Sequence, residues 1–417
     1  MTAPALMDAA PPRPAALPGM PRGYLWLSGL AMASGSVVLL EPAPYDIALA
    51  LLLVAGVLLH RLRFHASHRL PILLLAGFLA ADATSLLHAS DLRRALTYSA
   101  IDFYMIASWM FFVGFTSAYG YRAISVLMRG YAFAGSLAVV LSTLAFFGLI
   151  RNHALLLGNG RAQGLFKDPN VYGPYLVPMF LYALARLQRN GPRGRGFPMG
   201  LAVCAISALG VFLSFSRAAW INCGVAVVCF IGFQTVSGIR ARKLSAGPLY
   251  SILLVVLVAG GVWVAGALGS APVERMLAMR VSSNGLQDYD ATRFYTQRRA
   301  LETAMAQPLG IGPGQSEVVF DISTHNMYLR VLAETGVLGF AALYGFIALS
   351  LLRAANGAVT LADGWRRDLF AVVGACLIGT LVNGLVIDTI HWRHLWFLLG
   401  LAWWVPQSAG GPEAVEE

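Results

Sequence analysis

Charged residues are scarce in this sequence. Only 12% of the 417 residues are Asp, Glu, Lys or Arg, whereas 58% are hydrophobic; in soluble globular domains about a quarter of the residues are charged. This composition excludes a water-soluble globule and predicts that lipid surrounds most of the chain. The apolar runs are long and continuous rather than alternating, which favours membrane helices over a barrel. The predicted fold class is therefore all-α, a polytopic membrane helix bundle.

Three other signals are missing. The four cysteines lie inside apolar segments without CxxC or metal-type spacing, so they are interpreted as small core residues. The net charge of +10 comes from basic residues scattered between apolar runs, without the dense basic stripe of a nucleic-acid-binding surface. Residues 1–23 lack the apolar core and cleavage site of a secretory signal and are predicted to be a disordered cytoplasmic tail.

Apolar runs of about 17 to 25 residues predict about twelve transmembrane helices. The candidates are 24–40, 45–62, 71–88, 97–117, 121–150, 171–187, 198–214, 217–238, 248–268, 326–352, 368–388 and 393–406. The run 121–150 is overlong and the last run is short, so a tilt, a break or a partial crossing is expected there. A transmembrane domain thus occupies 24–406, and 407–417 form a short cytoplasmic tail.

The distribution of Lys and Arg predicts the orientation. With both termini in the cytoplasm, most short-loop arginines also face the cytoplasm, as the positive-inside rule requires. Four polar segments then lie together on the opposite side of the membrane. They are 158–170, 214–217, 269–325 and 388–394, and 269–323 makes a large external loop. Their convergence indicates a functional site on that side.

Two of these segments carry candidate anion-binding residues. Arg217 can grip a phosphate through two parallel hydrogen bonds; alternatively, it is a snorkelling residue that marks a helix end. Arg161 and Lys167 precede the turn Asp168-Pro169-Asn170, where a new helix is predicted to begin. A helix N-terminus beside two cations suits an anion, and a purely structural loop is the alternative.

The stretch from Ala291 to Ala306 predicts a helix that lies flat on the membrane. Arg293 and Gln297 share one face of it, and Arg298 with Glu302 forms an i,i+4 pair on another. The Gly- and Pro-rich stretch that follows predicts a compact, irregular connection. Such a segment is suited to act as a lid over a lipid-facing cleft.

A further helix is predicted to begin near residue 325, with Ser323 or Thr324 as its cap and His325 in its first turn. A neutral imidazole at this position can accept a proton from a hydroxyl group; a hydrogen-bonded structural histidine is the alternative. Arg330 and Glu334, four residues apart within an apolar run, are expected to neutralise each other.

The remaining polar signals are weaker. His391 and Arg393 form a polar cluster between two terminal spans, on the same side as His325. Asp288 and Asp290 form a DxD pair of the kind that binds divalent cations. So short an acidic motif has little specificity, and no metal site is predicted.

In this order the segments resemble the O-antigen ligase and polysaccharide polymerase superfamily of bacterial membrane glycosyltransferases, over roughly residues 100–405. The most specific motifs are RFYTQRRALETAMAQPLGIGPG and STHNMYLRVLAETGVLGF, which are similar to the large periplasmic loop of that family and the helix after it. GRAQGLFKDPN, FSRAAW and WRHLWFLLG are similar to its weaker motifs.

The resemblance, closest to an O-antigen ligase, implies a GT-C-like bundle in the bacterial inner membrane with an active site facing the periplasm. It implies that a glycan moves from an undecaprenyl pyrophosphate donor to a sugar hydroxyl, with inversion and without a metal or another cofactor. In a ligase the acceptor is lipid A core, whereas in a polymerase it is another repeat unit. Membrane lipid is the expected surrounding partner, and no nucleic acid is expected.

The same resemblance implies roles for individual residues. Arg217 and Arg293, helped by Arg161, would bind the pyrophosphate and stabilise the leaving group. His325 matches the family's histidine before Asn and would orient or deprotonate the acceptor hydroxyl. Further predicted substrate contacts are Lys167, Gln297, Asn326, His391 and Arg393.

Two alternatives to a ligase stay open. Many ligases have two adjacent histidines where this chain has Thr324 and His325, so a polymerase is the first alternative. The second is a non-enzymatic lipid-glycan transporter, which would place polar residues along the membrane midplane and contain paired broken helices.

Overall fold

The structure, a computed structural model, describes residues 22–150, 153–194, 196–242, 247–267, 270–281, 287–320 and 322–405. The predicted tails, apart from the short stretch 22–23 of the first, lie outside the described residues, as do 269, 282–286 and 321 of the predicted external loop. The side chains of Asp288 and Asp290 also lie outside the described part of the protein.

The described chain is almost entirely helical, which confirms the all-α prediction. Its helices are α1 Arg22–Ala33, α2 Pro44–Leu58, α3 Arg69–Ser85, α4 Leu92–Phe146, α5 Pro169–Asn190, α6 Phe197–Leu213, α7 Arg217–Arg240, α8 Gly247–Ala267, α9 Ala271–Val281, α10 Gln287–Ala306, α11 Ser316–Val319, α12 Met327–Thr360, α13 Trp365–Asn383 and α14 Arg393–Ala402. Two short strands, β1 Leu157–Gly158 and β2 Arg161–Ala162, form an antiparallel hairpin. All four cysteines are free.

Several helices have the length and composition of membrane spans. Among the described residues, Ala66–His88, Leu92–Phe146, Arg217–Arg240 and Met327–Thr360 are long and apolar enough to cross a bilayer, and α2, α6 and part of α8 are shorter apolar helices. Large apolar side chains such as Leu51, Leu73 and Val228 are exposed on the outside of the bundle. An apolar exterior on long apolar helices is the arrangement expected of a protein surrounded by lipid.

The 55-residue helix α4 consists of two helices that fold back at Gly120, whose φ of 56° and ψ of −134° are not helical. The rings of Phe112 and Tyr131 both pack on Phe397, at 4.9 and 5.6 Å between centroids. In a straight helix these two residues would lie about 28 Å apart. The separate runs 97–117 and 121–150 therefore correspond to two helices joined at Gly120.

A second break, at Gly336, divides α12 into two helical parts. The break leaves backbone carbonyls of the preceding turn without helical partners, and the connection after α10 supplies donors for them. Ile311 N–H donates to Ala333 O at 2.9 Å, and Gly312 N–H donates to Glu334 O at 3.0 Å. The Gly- and Pro-rich connection is thus held against α12 at the break, as compactly as predicted.

Candidate active site

Several of the predicted polar segments meet at one end of the bundle. The start of α5 lies on the turn between α6 and α7, because a Cβ added to Gly173 would lie 3.2 Å from the Cβ of Ser214. The first turns of α7 pack on the end of α13, where a Cβ added to Gly379 would lie 2.8 Å from the backbone oxygen of Asn222. Segments 158–170 and 214–217 are therefore neighbours.

The start of α12 completes this end of the bundle. Met327 N–H donates to Gly384 O at 2.8 Å, and Asn326 Nδ2 donates to Leu385 O at 3.2 Å. These bonds tie the segment containing His325 to the chain that leaves α13. Three segments distant in sequence therefore lie close together because α5, α7, α12 and α13 pack against one another.

The cap of α12 differs from the sequence prediction. Asn326, rather than Ser323 or Thr324, is the N-cap, and its Oδ1 accepts the N–H groups of Tyr328 and Leu329, both at 3.0 Å. His325 consequently precedes the helix instead of lying in its first turn. Its φ of 46° is in the left-handed region, which few non-glycine residues adopt and which often marks functional sites.

Helix α10 binds directly to this segment. Arg293 Nη2 donates to the carbonyl oxygen of His325 at 3.5 Å, and Gln297 Nε2 donates to the carbonyl oxygen of Thr324 at 3.3 Å. The two donors are one helical turn apart, which confirms that they share a face. The structure thus brings Arg293, Gln297, His325 and Asn326 together.

The surroundings of His325 favour the neutral imidazole. Burial lowers the pKa of His325, and the positive charge of Arg293 lowers it further. The carboxylates of Asp168, Asp388 and Glu317 act in the opposite direction, but the pKa stays below its usual value of 6.5. A neutral imidazole has a ring nitrogen able to accept a proton.

Arg161 is almost completely buried, at 8% exposure, beside the start of α5. Its Nη1 donates to Asn170 Oδ1 at 3.2 Å, and its Nη2 lies 4.0 Å from Asp168 Oδ1. Asp168 is the N-cap of α5 and influences both Arg161 and His325 electrostatically. Lys167, in contrast, pairs with Glu41 at 3.0 Å on an exposed surface.

Arg217 is the first residue of α7 and is exposed. Within the described part of the chain it forms no hydrogen bond or ion pair. Its helix is capped by the preceding Ser216, whose Oγ accepts Ala219 N–H at 3.3 Å. This guanidinium is therefore available to a ligand, although it does not contact the group around His325.

His391 and Arg393 are engaged by buried carboxylates of other helices. Arg393 binds both carboxylate oxygens of Asp46, each at 2.6 Å. His391 Nε2 lies 3.0 Å from Asp102 Oδ1. Burial favours a neutral imidazole, but Asp102 outweighs this effect and raises the pKa of His391. Contact of these two residues with substrate stays a prediction, since their visible partners are within the protein.

The predicted pair Arg330–Glu334 is present, at 3.3 Å, as part of a larger buried network that the sequence did not reveal. Arg330 also binds Glu317 at 3.0 Å and Asp388 at 2.6 Å. Glu334 accepts the backbone N–H groups of Gly314 and Ser316 at 2.9 and 3.1 Å. The network holds α11, α12 and the segment after α13 together, next to His325.

Among the described residues no group of three or more His, Cys, Asp or Glu side chains has the arrangement of a metal site. The cationic residue that sequence reasoning missed is Arg280 on α9, whose charge acts on Arg161. Its only signal in the sequence was a basic residue within the predicted external loop, where the structure places it in the last turn of α9.

Comparison with known families gives one match. Residues 202–344 match the family model described as O-antigen ligase. The matched segment extends from α6 into α12 and includes Arg217, Arg293, Gln297 and His325. It confirms the resemblance drawn from the motifs, and members of this family are membrane glycosyltransferase-like enzymes. No curated protein matches the chain.

Proposed function

Since residues 202–344 match the family model described as O-antigen ligase, we propose that this chain is a membrane glycosyltransferase of the bacterial inner membrane. It moves a glycan from an undecaprenyl pyrophosphate donor to a sugar hydroxyl of lipid A core. The reaction takes place at the periplasmic face, inverts the anomeric carbon and needs no metal ion.

The observation that carries this proposal is the contact of α10 with the segment around His325. Arg293, a cation suited to phosphate, is held next to His325, a partly buried residue whose imidazole is neutral near pH 7. Arg293 suits the leaving group, and His325 suits the attacking hydroxyl. A donor and an acceptor bound there would meet between them.

Each of these residues would then have its own role in the reaction. The acceptor oxygen attacks the anomeric carbon while the bond from that carbon to the pyrophosphate oxygen breaks. His325 takes the proton of the acceptor hydroxyl. Arg217 and Arg293, with Arg161, stabilise the negative charge that develops on the departing pyrophosphate.

The membrane setting belongs to the same proposal. About twelve helices cross the bilayer, both termini are cytoplasmic, and the hairpin, α9, α10 and α11 lie on the periplasmic side. Helix α10 supports this placement because Phe294 and Met305 are exposed on it while Ala300 and Ala304 are buried. Such a two-faced helix is suited to the membrane interface.

A polymerase that joins repeat units is the second candidate, favoured by the single histidine at 324–325. Gene deletion with analysis of the surface polysaccharide separates the candidates. Undecorated lipid A core together with polymerised lipid-linked glycan identifies a ligase, whereas single-repeat products identify a polymerase. Retention of the lipid-linked donor in the cytoplasmic leaflet, with loss of all glycan products on the periplasmic side, would instead indicate a transporter and refute both.

A further inference from the structure

The β-hairpin and α9 meet beside the candidate active site. A Cβ added to Gly160 would lie 3.7 Å from Sδ of Met276. Arg280 follows Met276 by four residues and so lies on the same face of α9. Helix α9 therefore presents Arg280 to the strand that begins with Arg161.

Both guanidinium groups keep hydrogen-bonding capacity that the described residues do not use. Nε of Arg161 and Nε of Arg280 are buried, and neither has a hydrogen-bond partner among the residues that the structure describes. Arg280 forms no hydrogen bond or ion pair anywhere in the described chain. A buried N–H without an acceptor is unfavourable, so these groups indicate a place for an acceptor that the described part of the chain does not supply.

The charges of this pair are also incompletely compensated. Burial lowers the pKa of Arg161, Arg280 lowers it further, and Asp168 raises it in part. Asp168 is one carboxylate, 4.0 Å away and 43% exposed in its side chain. The two neighbouring cations repel each other, because their one carboxylate is distant and solvated. An anion bound between them would replace this repulsion by attraction.

We infer that Arg161 and Arg280 form a phosphate-binding subsite in addition to the groups around Arg217 and Arg293. Phosphate oxygens accept hydrogen bonds from Nε and Nη of a guanidinium in parallel. The phosphate belongs to the pyrophosphate of the donor or to a phosphorylated acceptor. Its assignment to one of these substrates rests on the proposed function, whereas binding of the anion does not.

The test is titration of the purified full-length protein with inorganic pyrophosphate. Arg280→Gln and Arg161→Gln should each weaken binding about tenfold or more, and the double variant should be weaker by less than the product of the two effects, because both residues hold one anion. Arg275→Gln is the matched control, since Arg275 is an exposed residue of α9 whose Nε binds Ala271 O at 3.1 Å. It should bind like the wild type.

Thermal unfolding without ligand separates this role from a structural one. Loss of Arg280 relieves repulsion, so the ligand-free variant should be at least as stable as the wild type. Absence of saturable pyrophosphate binding by the wild type, or equal binding by Arg280→Gln, would overturn the subsite. So would a ligand-free Arg280→Gln protein that is clearly less stable.

Transfer kinetics identify the source of the phosphate. A rise of KM confined to the donor in Arg280→Gln assigns the subsite to pyrophosphate, and a rise confined to the acceptor assigns it to an acceptor phosphate. If neither KM changes in an active enzyme, the subsite is refuted. A wild-type protein that binds pyrophosphate through Arg280 but transfers no glycan would refute the proposed function and leave the subsite intact.

Discussion

Replacement of His325 tests the centre of the proposed mechanism. General-base assistance contributes about 10² to 10⁴-fold to a rate, which corresponds to about 3 to 5.5 kcal/mol of activation free energy. We expect His325→Ala to lose transfer by this factor while it still binds the donor. Because His325 has a φ of 46°, His325→Asn is the better-matched variant, since Asn adopts the left-handed region more readily than Ala.

The pH dependence of the wild type follows from the environment of the imidazole. Burial and Arg293 lower the pKa of His325, so the base stays neutral to a pH below 6.5 and activity is lost only as the pH falls further. Arg293→Gln removes a positive charge and should raise that pKa. The acid limb of its rate profile should therefore move to higher pH than in the wild type.

The assay is single-turnover transfer from a lipid-linked donor to a purified acceptor, measured from about pH 5 to 8, the range in which imidazoles titrate. His88→Ala is the control, since His88 is exposed and lies outside the site. A well-folded His325→Asn protein with unchanged transfer would make His325 a structural residue. An acid limb of Arg293→Gln that stays in place or moves to lower pH would refute the electrostatic argument.

Four further predictions concern the anion, metal independence, the break in α12 and the topology. Arg217→Ala and Arg293→Ala should each lower turnover at least 100-fold with near-normal membrane abundance, and Lys should restore only part, because about two charge-assisted hydrogen bonds are lost; a nearly fully active alanine variant would contradict the assigned role. Excess EDTA should leave transfer unchanged, and loss of activity restored by magnesium or manganese would reject an arginine-only mechanism. Gly336→Ala should destabilise the protein by about 2 kcal/mol or more, measured by thermal unfolding, because its φ is 70° and a Cβ would collide with the backbone of Pro308–Gly310; a fully stable variant would show that the connection can move away. In a cysteine-free background, an impermeant thiol reagent should label Glu302→Cys and spare Arg193→Cys in intact cells, and the reverse pattern would invalidate the proposed orientation.

The sequence by itself determined the lipid surroundings of the chain, its all-α fold class and its local patterns. Its composition excluded a soluble protein, and the runs on either side of Gly120 predicted two helices that the structure joins in α4. The pairs Arg298–Glu302 and Arg330–Glu334 were also predictable, and both are present. Hydropathy and i,i+4 spacing act within one or two dozen consecutive residues, so these features need no knowledge of packing.

The N-cap of α12 was predicted wrongly, because three short polar residues near the start of the helix could each have been the cap. Ser323, Thr324 and Asn326 are all acceptable helix caps by type. The chain uses Asn326, whose Oδ1 caps α12 while its Nδ2 reaches the segment after α13. That second contact comes from a residue 59 positions away, so the sequence around residue 325 did not contain the deciding information.

Only the tertiary structure decided the partners of the buried charges. The sequence predicted substrate contacts for His391 and Arg393, which stay predictions, but it did not predict that α4 and α2 bring Asp102 and Asp46 to these residues. Likewise, the neighbourhood of Arg161 and Arg280 arises because the hairpin packs on α9. A buried charge is stabilised by whichever opposite charge the packing brings within a few ångströms, and long-range packing leaves no periodic trace in the sequence.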